Sequence, residues 1–150
     1  MDIYPYYFNI YKMDQYNLQN FDLNRFIAKN ERICDKIRVL KFTRLSDYKF
    51  SDNDNLFYDV SVHENVGQYY LNIGVSIRLK LLCYRCLENV DFEVKTSNHY
   101  KLVQVTNVSA KHVIDDIQIE ITDDFDLLSF IEDEVLLELP PSPKHAYKCN

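Results

Sequence analysis

This 150-residue chain has only two glycines, four prolines and no tryptophan. Such scarcity of flexible and turn-forming residues points to ordered structure rather than a low-complexity chain. No apolar run approaches the ~20 residues of a spanning helix. The first residues, Met1-Asp2-Ile3-Tyr4-Pro5, carry no basic segment leading into a long apolar one, so no signal peptide is expected and the expected compartment is the cytoplasm. Also missing are a glycine-rich phosphate loop, a G-x-S-x-G elbow and an H-E-x-x-H helix, and His63, His99, His112 and His145 are scattered. No enzyme and no small-molecule substrate are expected. Three acids, Asp123, Asp124 and Asp126, fit a magnesium-dependent nuclease on paper, but a capped helix start explains them more simply.

What the chain does have is aromatic and aliphatic bulk. Twelve tyrosines and nine phenylalanines within a 47% hydrophobic composition are enough to bury a core without disulfides, and the length fits one domain over 1–150. Asp22 is placed to cap a short helix in which Leu23, Phe26 and Ile27 share a face. Period-two alternation marks Leu56 to His63, Gln68 to Ile73, Gly74 to Cys83, Val90 to Val94 and Ile117 to Ile121 as strands, with a turn at Glu64-Asn65-Val66-Gly67. Asp126 starts a second helix, whose core stripe is Leu127, Leu128, Ile131, Val135 and Leu139 and which ends at Pro140-Pro141. Residues 97–116 show no clean period and read as a variable loop, save for a strand-like 101–105. The expected class is α+β: an antiparallel β-sheet of hairpins with a short N-terminal helix and a C-terminal amphipathic helix.

Charge is segregated along the chain. The net charge is −6, which does not suggest a generic nucleic-acid binder. Yet between Arg25 and Lys49 eight basic residues stand against Glu31, Asp35 and Asp47, a local excess of five. The candidate phosphate contacts there are Arg25, Lys29, Arg32, Lys36, Arg38 and Lys41, with Tyr48 and Phe50 as stacking partners; the bland reading is a solvated helix face. From Asp115 to Leu139 there are ten acids and no lysine or arginine. The apolar side of that helix reads as structural, while Glu132, Asp133 and Glu138 offer an acidic face to a basic protein, which frames an adaptor that never touches RNA.

Of the four cysteines, Cys34 stands alone as a bystander. Cys83-Tyr84-Arg85-Cys86 has the C-x2-C spacing that lets a tight turn aim two sulfurs at one centre, and His145 and Cys149 follow at H-x3-C spacing. Together they form a candidate four-ligand metal set. Such a set is structural, because no coordination position stays open for catalysis. Two inert thiols at a hairpin end, or a redox pair, are the other readings.

Leu82-Cys83-Tyr84-Arg85-Cys86-Leu87-Glu88, followed by Asp126 to Pro140 with its Ile131-Glu132-Asp133-Glu134 core and by Pro143, His145 and Cys149, resembles the bacterial YceD family of large ribosomal RNA subunit accumulation proteins. The resemblance spans roughly residues 20–149 and is strongest over 73–94 and 117–149. It implies a non-enzymatic factor of ribosome biogenesis that supports synthesis, processing or stability of large-subunit (23S) ribosomal RNA. Its implied partners are that RNA, its precursor or a ribosomal protein. Some branches of the family carry a richer cysteine set, which favours a structural zinc ion here.

Overall fold

A computed structural model describes residues 16–51, 53–104 and 117–149. Five strands form one sheet in chain order: β1 (Arg32–Arg38), β2 (Asn55–Asn65), β3 (Gln68–Leu82), β4 (Asn89–Val103) and β5 (Gln118–Glu120). Strands β1 to β4 are antiparallel, whereas β5 runs parallel to β4. Two helices complete the α+β architecture, α1 (Leu23–Lys29) and α2 (Leu127–Leu137).

Both helices begin as the sequence dictates. Asp22 accepts the Arg25 N–H at 2.8 Å and Asp126 accepts the Ser129 N–H at 2.9 Å, each satisfying an otherwise orphaned donor of a first turn. The β2–β3 hairpin closes through Val66 and Gly67, with φ values of 50° and 75°. Paired left-handed residues match the twist of a two-residue hairpin loop. Glycine adopts this freely, but Val66 does so against its branched Cβ.

Alternation then sorts the sheet into two faces. Leu56, Tyr58, Val60 and Val62 of β2 and Leu71 to Leu81 at odd positions of β3 point to one side, where Leu127, Ile131 and Val135 of α2 pack on them. Leu23 and Phe26 of α1, with Val39, Phe42 and Leu45 from the turns after β1, belong to the same buried cluster. The other face is solvated.

Three local outcomes differ from the sequence reading. The basic run does not continue the first helix, because Asn30 turns left-handed (φ 48°) and Arg32–Arg38 pairs with β2 as an edge strand. Strand β4 does not stop at Val94 but continues to Val103, so Ser97 to Tyr100 is strand rather than loop and Lys101 to Val103 is strand as expected; residues 105–116 lie outside the described residues. Finally, Glu132 and Glu134 of α2 are 4% and 2% exposed. Glu132 accepts the Arg44 N–H at 2.6 Å, the Leu45 N–H at 3.0 Å and Arg44 Nε at 3.1 Å. Glu134 accepts from Asn98 at 2.8 Å and from the Tyr100 hydroxyl. A buried carboxylate needs such partners. Asp133 pairs with Arg44 at 2.6 Å, so of the proposed acidic docking face Glu132 and Asp133 are already committed inside the molecule.

Candidate metal centre

The site forms where β3 ends. The Cys83 N–H bonds the Glu88 carbonyl and the Leu87 N–H bonds the Cys83 carbonyl, both at 2.9 Å, closing a tight turn with Leu87 left-handed at φ 60°. That curl aims both sulfurs one way. The chain after α2 returns to it, and the Tyr84 N–H donates to the Pro143 carbonyl at 2.9 Å. Arg85 completes the clasp by donating through Nη2 to the carbonyls of His145, at 2.8 Å, and Tyr147, at 3.0 Å. Sequence reasoning passed over Arg85, though its place between the cysteines was a signal.

One end of each ligand pair thus meets the other. Cys83 Sγ lies 3.6 Å from Cys149 Sγ, and Cys86 Sγ lies 3.5 Å from His145 Nδ1. All four ligand atoms fall within 4.8 Å of one another, and among the described residues this is the single such group of His, Cys, Asp or Glu. A tetrahedral zinc ion, with Zn–S near 2.3 Å and Zn–N near 2.05 Å, sets sulfur–sulfur edges of about 3.8 Å and sulfur–nitrogen edges of about 3.6 Å. The donors fit that ion in type and spacing. The sulfur separation is far too long for a disulfide, and all four cysteines are free.

The surroundings favour the thiolate at Cys83 and the neutral thiol at Cys149. Burial pushes the Cys83 thiol up, but hydrogen bonds from the backbone N–H groups of Cys86, Arg85 and His145 and from Cys149 outweigh it and bring Cys83 down to about 5. Burial, reinforced by the neighbouring Cys83 and Cys86 sulfurs, pushes Cys149 up to about 11. Crowded thiols that share protons in this way release them to a cation. His145 Nε2 lies 3.1 Å from the Asn89 carbonyl, which only an N–H can satisfy. Nδ1 is therefore the nitrogen left to ligate.

A family model for the large ribosomal RNA subunit accumulation protein YceD matches residues 71–150, just over half of the chain, a stretch that includes Cys83, Cys86, His145 and Cys149. The chain belongs to the YceD family. No curated protein and no solved structure matches it. The YceD match takes in β3 from Leu71 onward, β4, β5, α2 and the returning C-terminal segment.

The candidate phosphate contacts are all exposed but do not form one helix face. Arg25 and Lys29 lie on α1, Arg32, Lys36 and Arg38 share the solvent face of β1, and Lys41 follows in a 3-10 turn. Arg32 pairs with Asp59, and Lys29 with Glu31 at 3.7 Å. Cys34 lies on the same face as Arg32 and Lys36, away from the cluster. Asp126 spends its carboxylate on Ser129, accepting from N and Oγ. Among the described residues, Asp123 and Asp124 join no group that converges on an ion. No helix of the described residues is long and apolar enough to cross a membrane.

Proposed function

We propose that this chain acts as one domain over 1–150, in the cytoplasm, as a non-enzymatic factor supporting synthesis, processing or stability of large-subunit ribosomal RNA. It would do so by binding that RNA or a ribosomal protein of the same subunit. The observation that carries the reading is the YceD match over residues 71–150, whose two ends hold the two halves of the Cys83, Cys86, His145, Cys149 cluster. Zinc is the ion whose chemistry fits that donor set, and its role is to hold the C-terminal segment against the end of the sheet. With four protein ligands it leaves no place for a reacting water. Arg25, Lys29, Arg32, Lys36, Arg38 and Lys41 are the proposed phosphate contacts on the RNA side, and charge reversal of Arg25, Lys29 and Arg32 together should lower RNA affinity and its salt slope.

Depletion of the protein followed by measurement of large- against small-subunit ribosomal RNA tests the reading. A selective fall in the large-subunit species is expected. An unchanged ratio overturns it, and partners that survive nuclease digestion in a pull-down would point instead to an adaptor.

A further inference from the structure

The solvated face of the sheet carries an anomaly. Along β2 its outward positions read Asn55, Phe57, Asp59 and Ser61, and Phe57 is 51% exposed in the middle of an otherwise polar row. An exposed aromatic ring on the polar parity of a strand has no core to fill. The cross-strand register places it between Lys36 of β1 and Ser76 of β3, with Lys95 of β4 beyond Ser76. At the rim Phe50, 39% exposed, lies under two cations, with Arg78 at 5.8 Å and Lys80 at 5.5 Å from its ring centroid. Phe50 and Phe57 wall an open depression of about 420 Å³, whose other lining includes Asn55, Ser76, Arg78 and Glu93.

The charge around the two rings is opposite to that of the molecule. Lys36, Arg38, Arg78, Lys80 and Lys95 surround them, against Asp54, Asp91 and Glu93. Asp54 is occupied by the N–H groups of Phe50 and Ser51 and the Ser51 hydroxyl, and Asp91 accepts from Arg78 at 3.4 Å. A chain of net charge −6 that gathers cations around paired exposed rings has the two ingredients of a sequence-tolerant single-strand site: stacking surfaces for bases and cations for the backbone.

We propose that this face, centred on Phe57 and Phe50, binds single-stranded RNA by stacking bases on the two rings, with Asn55, Arg78 and Glu93 facing base edges and Lys36, Arg38, Lys80 and Lys95 meeting phosphates. The proposal rests on the RNA-directed function above and names the surface that carries it. It extends the basic run of α1 and β1 across the sheet, and it leaves the metal centre, just beyond the end of β3, a supporting role.

The test uses the full zinc-loaded chain and a fluorescein-labelled oligouridylate in anisotropy titrations at several salt concentrations, with an RNA duplex as comparison. Phe57→Ala and Phe50→Ala should each weaken single-strand binding by roughly 5- to 150-fold, the range that loss of one stacked base sets. Phe57→Tyr should restore it. Lys36→Glu with Lys95→Glu should flatten the salt dependence, and duplex should bind less tightly than single strand. Phe57 is half exposed, so an unchanged circular dichroism spectrum and zinc content identify folded variants. Tight RNA binding that ignores both phenylalanines overturns the proposal while the ribosomal function stands. Absence of RNA binding, with capture of an acidic protein on the same face, overturns it also. Normal ribosomal RNA in depleted cells would defeat the functional reading separately, whatever the titrations give.

Discussion

Replacing Glu132 with alanine removes the buried acceptor that holds the segment after β1 against α2. Its carboxylate receives the Arg44 and Leu45 N–H groups at 2.6 and 3.0 Å, and Leu45 is fully buried in the core. Hydrogen bonds to a charged group contribute about 1.5–3 kcal/mol each, and a buried donor left without a partner costs about 1–3 kcal/mol. The exposed Arg44 side chain adds little, since water screens it and Asp133 also binds it. Glu132→Ala should therefore cost roughly 3–5 kcal/mol, a large share of a typical domain stability of about 5–15 kcal/mol. At about 3 °C per kcal/mol for a chain of this size, the melting midpoint should fall by about 9–15 °C. Differential scanning calorimetry measures this directly, with the exposed Glu138→Ala as control. A Glu132→Ala midpoint within about 2 °C of the parent would refute the claim that this acid is structural, and would return it to the surface as a docking group.

Three further outcomes are expected. Elemental analysis should find one zinc ion per chain, lost in Cys83→Ser and Cys149→Ser. Arg85→Ala should keep the stoichiometry but yield zinc to a chelator with affinity lowered about 10- to 100-fold, and equal retention by all variants would refute the clasp. Val66→Asn at the hairpin loop should stabilise by about 1 kcal/mol in urea unfolding, because asparagine tolerates the left-handed conformation that valine resists. Tyr58 and Tyr100 are both held above the ordinary phenol value of 10.0, chiefly by burial. Their stabilisation is thus complete below about pH 10 and disappears as pH climbs through the raised folded values, so thermal stability should decline above that pH. Tyr100→Phe should shallow that decline while costing about 1–3 kcal/mol at neutral pH, since buried Glu134 loses a donor.

Local signals survived into the structure where one residue's chemistry sufficed. Asp22 and Asp126 cap helices at the anticipated positions, and the alternation of β2 and β3 names the buried side chains correctly. The four candidate ligand residues also converge, because a C-x2-C turn is encoded locally even though its closure is not. What escaped was set by partners far along the chain. Glu132 and Glu134 look solvated in an acid-rich helix until Leu45 and Tyr100 arrive to bind them. Asn98 broke the period of β4 because an inward-facing amide serves Glu134, so a strand resembled a loop. Strand β1 was obscured by its own edge position, where Arg32, Cys34, Lys36 and Arg38 on the wet side outnumber Ile33 and Ile37 within. Such charge guards an edge against pairing with other chains. Phe57 carried a legible signal, an aromatic on the polar parity.

The two sulfurs of the closest pair are 66 residues apart in the chain. During synthesis, therefore, Cys83 and Cys86 emerge as an unfinished half while His145 and Cys149 have yet to be translated. Any product cut short before that last cysteine leaves its early thiols bare and its final segment unanchored. A bound ion in this fold would thus wait on both stretches, fastening the strand end made early to the segment made late.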